Sequence, residues 1–272
     1  MKLRNSFAVI FACIAACLIS SNAQAQSAFA GFYGQVSTGY ESNQLGSTSG
    51  NSTVTPNQGT DVIRSAPSQT FGGAPLVLGI GYYWQATDKW LLGVGADYSA
   101  LSQTSSPMSV SITNVPGNSS IKSGEIATGN GSSMQLSNRF NLFITPAYAI
   151  DKEKLVYIKA GYSQVTAQYN QPTSVTRTAN GVSTITAAAG GSASSNQGGY
   201  LIGLGYKQII TSGLYGFVEG NYMGYSAPSY SYSTYSSAAV SLSGSSPTTR
   251  IVTTSFASLN SFQALIGLGY AF

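Results

Sequence analysis

Residues 76–99 read "LVLGIGYYWQATDKWLLGVGADYS", two glycine-punctuated apolar runs around a short polar break at 85–89. In the first run Leu76, Leu78, Ile80, Tyr82 and Trp84 share one parity, and Val77, Gly79, Gly81 and Tyr83 share the other. In the second, Trp90, Leu92, Val94, Ala96 and Tyr98 oppose Gly93, Gly95, Asp97 and Ser99. A period of two marks strands rather than helices, because successive side chains on a strand point to opposite faces. The two faces differ in an unusual way. One is continuously apolar and the other is small and Gly-rich, whereas the outer face of a soluble sandwich would carry charge. A wall with lipid outside and a narrow interior would show this pattern.

The same texture recurs six more times: "GFYGQVSTGY" (31–40), "NRFNLFITPAYAI" (138–150), "LVYIKAGYSQV" (155–165), "YLIGLGYKQI" (200–209), "LYGFVEGNYMGY" (214–225) and "NSFQALIGLGYAF" (260–272). Each of the eight stretches has about the ~9–11 residues that a tilted transmembrane strand requires. Their connections alternate in length. "QATDK" (85–89), "DKEK" (151–154) and "ITSG" (210–213) are short, while the other four connections run to long Ser/Thr/Gly/Asn-rich segments. Structureless loops of that length are rare inside a compact soluble domain, and the short/long alternation is that of outer-membrane barrels. The pattern predicts an all-β fold: an eight-stranded antiparallel up-and-down transmembrane β-barrel with four long extracellular loops and three short periplasmic turns.

Composition agrees. Only 7% of the residues are charged, against roughly 25% in an ordinary soluble domain, yet no run beyond the N-terminus approaches the ~20 apolar residues of a membrane helix. At the N-terminus, Lys2 and Arg4 precede an apolar run from Phe7 to Ile19, followed by small residues at Ala23 and Ala25. That order reads as a secretory signal peptide (1–25), leaving a barrel domain at 26–272. Cleavage and lipidation at Cys17 in "IAAC" stays open as an alternative. Both cysteines, Cys13 and Cys17, fall in the leader, so the mature chain offers no disulfide or thiolate site. Ten basic and eight acidic residues then remain, too balanced and dispersed for nucleic-acid binding.

Within the long segments, "TSVTRTANGVSTIT" (173–186) places Asn180-Gly181 between two alternating β-branched runs, a hairpin signal, so strands five and six are expected to extend and meet there. "SYSYSTYSS" in the fourth segment suggests a similar extension. For the first two long segments, solvated loops remain an open alternative. Aromatics lie at both margins of the apolar faces: Trp84, Trp90, Tyr148, Tyr206 and Tyr270 toward the short turns, and Tyr40, Tyr98, Tyr162, Tyr200 and Phe262 toward the long segments. Two interfacial belts are expected from them.

Six charges fall on the inward parity: Glu41, Asp97, Arg139, Lys159, Lys207 and Glu219. Three acids and three bases in so narrow a space predict a paired network filling the lumen, with Glu41, Asp97 and Arg139 toward the long segments and Lys159, Lys207 and Glu219 toward the short turns. The alternative is a gate or narrow ion path. Each long segment also carries one base (Arg64, Lys122, Arg177 and Arg250), read either as scattered solubilising charge or as contacts to the phosphates of surrounding lipopolysaccharide.

The chain has no histidine, which removes the usual general base of Ser and Cys nucleophiles and the commonest metal ligand. The Gly-x-Gly pairs lack the third glycine and the helix of a dinucleotide site. No catalytic, metal or cofactor site is expected.

Taken together, these stretches and loops resemble the small eight-stranded bacterial outer-membrane barrels: the OmpA-like transmembrane domain, OmpX and the opacity-protein group. The resemblance implies that the alternate residues Phe262, Ala264, Ile266, Leu268, Tyr270 and Phe272 form the C-terminal signal read by the barrel-assembly machinery. It also implies residence in the outer membrane of a Gram-negative bacterium, with outer-membrane lipid and lipopolysaccharide as surroundings. Unlike full-length OmpA, no peptidoglycan-binding role through a periplasmic domain is expected. The expected role is non-enzymatic, either structural or surface-interactive through an extracellular ligand of the loops. A small porin-like channel is the alternative.

Overall fold

The computed structural model describes residues 27–55, 60–114, 125–188, 190–236 and 248–272. The leader with Lys2, Arg4, Cys13, Cys17, Ala23 and Ala25 lies outside the described residues, as does Lys122. Among the described residues there are seventeen strands and no helix: β1 (Gly31–Leu45), β2 (Thr48–Thr55), β3 (Thr60–Ala66), β4 (Gln69–Gly73), β5 (Leu76–Gln85), β6 (Trp90–Ser99), β7 (Gln103–Thr104), β8 (Met108–Asn114), β9 (Ile126–Ala149), β10 (Lys154–Asn170), β11 (Ser174–Ala179), β12 (Val182–Ala187), β13 (Ser192–Thr211), β14 (Leu214–Tyr225), β15 (Ser229–Ser236), β16 (Thr248–Phe256) and β17 (Leu259–Ala271).

The pairings separate into two tiers. In the first, β1 pairs with β5, β5 with β6, β6 with β9, β9 with β10, β10 with β13, β13 with β14, and β14 with β17, all antiparallel. β17 then pairs with β1 from Tyr33↔Ala271 to Leu45↔Leu259, so the circuit returns to its start. Tyr270 and Ala271 therefore end a strand that is hydrogen-bonded along both edges, and the N–H of Phe272 beyond it still donates to the Phe32 carbonyl at 2.9 Å. These eight strands contain the eight alternating stretches of the sequence.

The second tier is the correction to an eight-strand count. Among the described residues the long segments form strands that pair in the order β12–β11–β9–β8–β3–β2–β16–β15. This collar is joined to the ring through β9, whose C-terminal part pairs with β6 and whose N-terminal part pairs with β8 and β11. The expected start of the fourth strand at residue 138 is therefore wrong, since β9 begins at Ile126. Residues 126–137 hid because, apart from Ile126, their outward positions are polar or glycine, and Gly129 and Ser132 interrupt the apolar buried side marked by Ala127, Met134 and Leu136. Solvated loops at the first two long segments are overturned for the described residues by β2, β3 and β8. At 174–187 the hairpin forms as read, with Ala179↔Val182 flanking Asn180 (φ 51°) and Gly181 (φ 79°). Two successive positive φ values are what a tight two-residue hairpin turn requires.

Faces follow parity. Leu78, Ile80, Leu92, Val94, Leu142, Ile158, Leu204 and Ile266 are exposed on the outside of the ring, while Val77, Tyr83, Leu91, Phe143, Tyr157 and Leu265 are buried within. Aromatics cluster in register near both margins of the outer face. Tyr162 opposes Tyr200, Tyr98 opposes Phe140 and Tyr222 opposes Phe262 toward the collar; at the other end Trp90 opposes Tyr148 and Phe32 opposes Tyr82. Trp90 and Tyr98 share a strand and stand eight residues apart, about 27 Å along the chain at ~3.4 Å per residue. With a strand tilt of ~40° that is about 20 Å along the axis, close to the ~25 Å apolar band of outer-membrane barrels.

The inward glycines have a specific use. A Cβ on Gly205 would collide with the Tyr157 ring, one on Gly269 with Tyr215, and one on Gly267 with Phe217. Each large ring therefore lies flat over a glycine on the neighbouring strand, so rings of this size fit inside eight strands.

Candidate functional site

The six inward charges are all in the ring interior, with relative exposures from 1% for Glu41 and Lys159 to 6% for Glu219. They form three groups rather than a uniform network. In the group next to the collar, Arg139 of β9 is ion-paired with Glu41 of β1. Its Nε donates to the Tyr225 hydroxyl at 2.9 Å, and its Nη2 donates to Ser261 Oγ at 3.0 Å and Asn43 Oδ1 at 3.2 Å. Glu41 also accepts from Gln263 Nε2 at 2.7 Å and Asn43 Nδ2 at 2.9 Å. Four strands of the ring thus converge on one ion pair.

In the middle group, Lys159 of β10 donates to Asp97 Oδ2 at 2.6 Å and Glu219 Oε1 at 3.0 Å. Asn141 donates to Asp97 at 2.5 Å, while Tyr157 and Asn221 each donate to Glu219 at 2.7 Å. Asp97, expected near the long segments, and Lys159 and Glu219, expected near the short turns, meet here. Strand tilt explains the correction, since it brings residues at unequal heights from their own turns to one level.

Lys207 of β13 departs furthest from expectation. Among the described residues it makes no ion pair. Its ammonium lies 4.1 Å from the Tyr33 ring centre, 4.8 Å from Tyr215, 5.2 Å from Tyr83, 5.3 Å from Tyr157 and 5.9 Å from Phe217, and it donates to Gln35 Oε1 at 3.1 Å. Ring faces carry partial negative charge and stand in for a carboxylate. Three acids therefore serve two bases, and aromatics serve the third.

Apolar layers close the interior on either side. Phe29, Tyr33, Tyr83, Tyr157, Tyr215 and Phe217 pack together at the short-turn end, while Leu45, Met134, Tyr169, Met223, Tyr230 and Phe256 pack beneath the collar. The sequence reading missed Asn43, Asn141, Asn221, Ser261, Gln263 and the five rings around Lys207. All lie on the inward parity, so attention to every polar and aromatic inward position, rather than to charges alone, would have found them.

In chemical terms the buried carboxylates are fully engaged, while Tyr83 Oη, Ser99 Oγ, Asn141 Oδ1, Thr145 Oγ1 and Asn221 Oδ1 are buried without a hydrogen-bond partner. Each buried carboxylate accepts from a cation and at least one amide, and these six charged side chains sit 6% exposed or less. The alternate residues Phe262, Ala264, Ile266, Leu268 and Tyr270 lie exposed on the outer face of β17, and Phe272 lies exposed just beyond its end. Lys154 and Asp151 pair at 3.2 Å in a short turn, where the Glu153 amide holds the Asp151 carboxyl below the usual range.

No protein-family model matches the chain, and no curated protein sequence does. Among solved structures it is similar to the attachment invasion locus protein Ail of Yersinia pestis, at 11% identity over 89% of this chain and 99% of that one, with a TM-score of 0.36. It is also similar to the outer membrane protease OmpT of Escherichia coli (11% identity, 93% and 100% covered, TM-score 0.43). A third is the outer membrane protein OprG of Pseudomonas aeruginosa (12% identity, 89% and 96% covered, TM-score 0.39). At these identities and scores the likeness adds nothing to what the strand pairings establish.

Proposed function

We propose that the closed circuit of eight strands is a transmembrane β-barrel of the Gram-negative outer membrane, non-enzymatic, that carries a strand-built extracellular collar for surface interaction. The observation that carries the reading is the contrast between inside and outside. The interior is packed with paired charges and rings, while the outer face is an apolar band between aromatic margins. Such a barrel anchors and displays. Its collar presents Ser, Thr and Tyr side chains on paired backbone, a stiff surface suited to recognition of an extracellular partner. Residues 1–25 serve as the export signal, and the outward row from Phe262 to Phe272 serves as the element engaged by the barrel-assembly machinery. Outer-membrane lipid and lipopolysaccharide surround the band.

Heat modifiability tests the barrel: an unboiled sample that runs like a boiled one on a denaturing gel sinks it. The display role is tested with cells bearing the protein. Binding to host cells or matrix that persists after removal of 174–187 and 229–256 together would overturn collar-mediated recognition. Stepwise conductance in a planar bilayer would favour a channel instead, and the burial of all six interior charges counts against that outcome.

A further inference from the structure

Arg64 stands apart from every other described charge. On β3 it sits between exposed Ile63 and exposed Ser65, on the parity of buried Ala66, so its side chain turns into the collar rather than toward the surroundings. Pairing sets it between Gly50 of β2 and Ile112 of β8, and Gly50 opposes Thr254 of β16.

The Arg64 Nε is buried and has no hydrogen-bond partner, and Arg64 enters no ion pair among the described residues. The carboxylates of the ring are committed to Arg139 and Lys159, and Glu125 in the collar faces Arg177 at 3.6 Å. Below lies an aromatic floor: Tyr169 stacks on Tyr230 with ring centres 5.9 Å apart, and Phe256 meets Tyr169 edge-on at 5.6 Å. The Arg64 charge acts on the phenols of Tyr169 and Tyr232, which burial nonetheless holds above the ordinary range, Tyr169 up to about 12. Both therefore remain neutral phenols, Tyr169 hydrogen-bonded with Ser132 and Tyr232 with Thr254. A buried guanidinium nitrogen without an acceptor is costly, and its planar fork matches a tetrahedral oxyanion.

We propose that the collar interior is a binding site for a phosphate or sulfate group from the extracellular solution, with the Arg64 guanidinium at its centre and the Tyr169 and Tyr232 hydroxyls as flanking donors. The group arrives as a free ion or as the monoester of a soluble sugar, and the fork reads the same chemistry in both. The site is independent of the display role proposed above, and the gel-shift assay for the barrel reports on a different property.

The test uses full-length protein folded in detergent micelles with 15N-arginine, titrated separately with inorganic phosphate, sulfate and glucose 6-phosphate at constant ionic strength. The Arg64 Nε–Hε signal is expected to shift saturably with at least one of them, while chloride leaves it in place. Tighter glucose 6-phosphate identifies a sugar-borne group and equal affinity a free ion; either supports the site. By calorimetry R64Q should weaken binding at least tenfold, about 1.4 kcal/mol, whereas K152Q, the same charge change in an exposed turn at the other end, should not. R64K keeps the charge but loses the fork, and should bind more weakly while still showing heat-modifiable migration. No saturable shift with any of the three anions, or R64Q binding like the parent protein, overturns the proposal.

Discussion

The ammonium of Lys207 lies 4.1 Å from the centre of the Tyr33 ring, and no carboxylate pairs with it among the described residues. A cation this deep depends on ring faces, one amide oxygen and its own aliphatic stem for its stability. Cation–π contacts are worth up to about 2 kcal/mol each when desolvated, so the rings around Lys207 together are comparable to the several kcal/mol that desolvation costs an ion in real proteins. The two effects nearly cancel.

Lys207→Met is accordingly expected to change unfolding stability by about 1 kcal/mol or less, because it removes the attraction and the desolvation cost together. Urea titration of the protein in lipid vesicles checks this. A loss above about 3 kcal/mol would mean that a charge partner holds Lys207.

Lys159→Met should behave very differently. It strands Asp97 and Glu219, both buried and both relying on the same ammonium, and the expected cost is about 3–5 kcal/mol. The triple change Lys159→Met, Asp97→Asn, Glu219→Gln should recover most of it, since no unpaired charge remains. Equal stability of the single and triple variants would contradict the pairing.

Gly205→Ala and Gly269→Ala insert a methyl group into the rings of Tyr157 and Tyr215, and each is expected to destabilise by about 1–3 kcal/mol through overpacking. Gly34 provides the control, because a Cβ there meets nothing within 4 Å. Should Gly34→Ala cost as much as the other two, strand propensity rather than ring seating sets the effect.

Gly181→Ala acts on the collar alone. Gly181 has a φ of 79° and open space around it, so the penalty is backbone strain of about 1–2 kcal/mol. Amide exchange over residues 174–187 should quicken while that of β1 and β17 stays unchanged. Faster exchange in the ring as well would show that hairpin and ring open as one unit.

How much of this was legible beforehand is clearest at particular residues. Leu78, Ile80, Leu92 and Val94 announce their face because lipid-like exposure leaves an apolar outer row beside a small inner one. The collar strands carry no such row. Ser229, Ser231 and Ser233 alternate with Tyr230 and Tyr232, a pattern equally at home in a solvated segment, and only pairing with β16 makes it a wall. Likewise Glu41 and Arg139 lie 98 positions apart; parity told that both face inward but could not tell that they meet.

By itself the sequence determined everything governed by period two: which residues alternate, which side of each stretch is apolar, where the short turns fall, and that Asn180-Gly181 reverses the chain. Those are local consequences of backbone geometry and side-chain size. Tertiary structure alone decided the partners. Closure and strand tilt set the heights at which Asp97, Lys159 and Glu219 converge, seated Tyr157 on Gly205 and Tyr215 on Gly269, left Lys207 to its rings, and turned Arg64 inward. The reason is that interior neighbours are fixed by the stagger between strands, a property of the whole circuit that no single strand encodes.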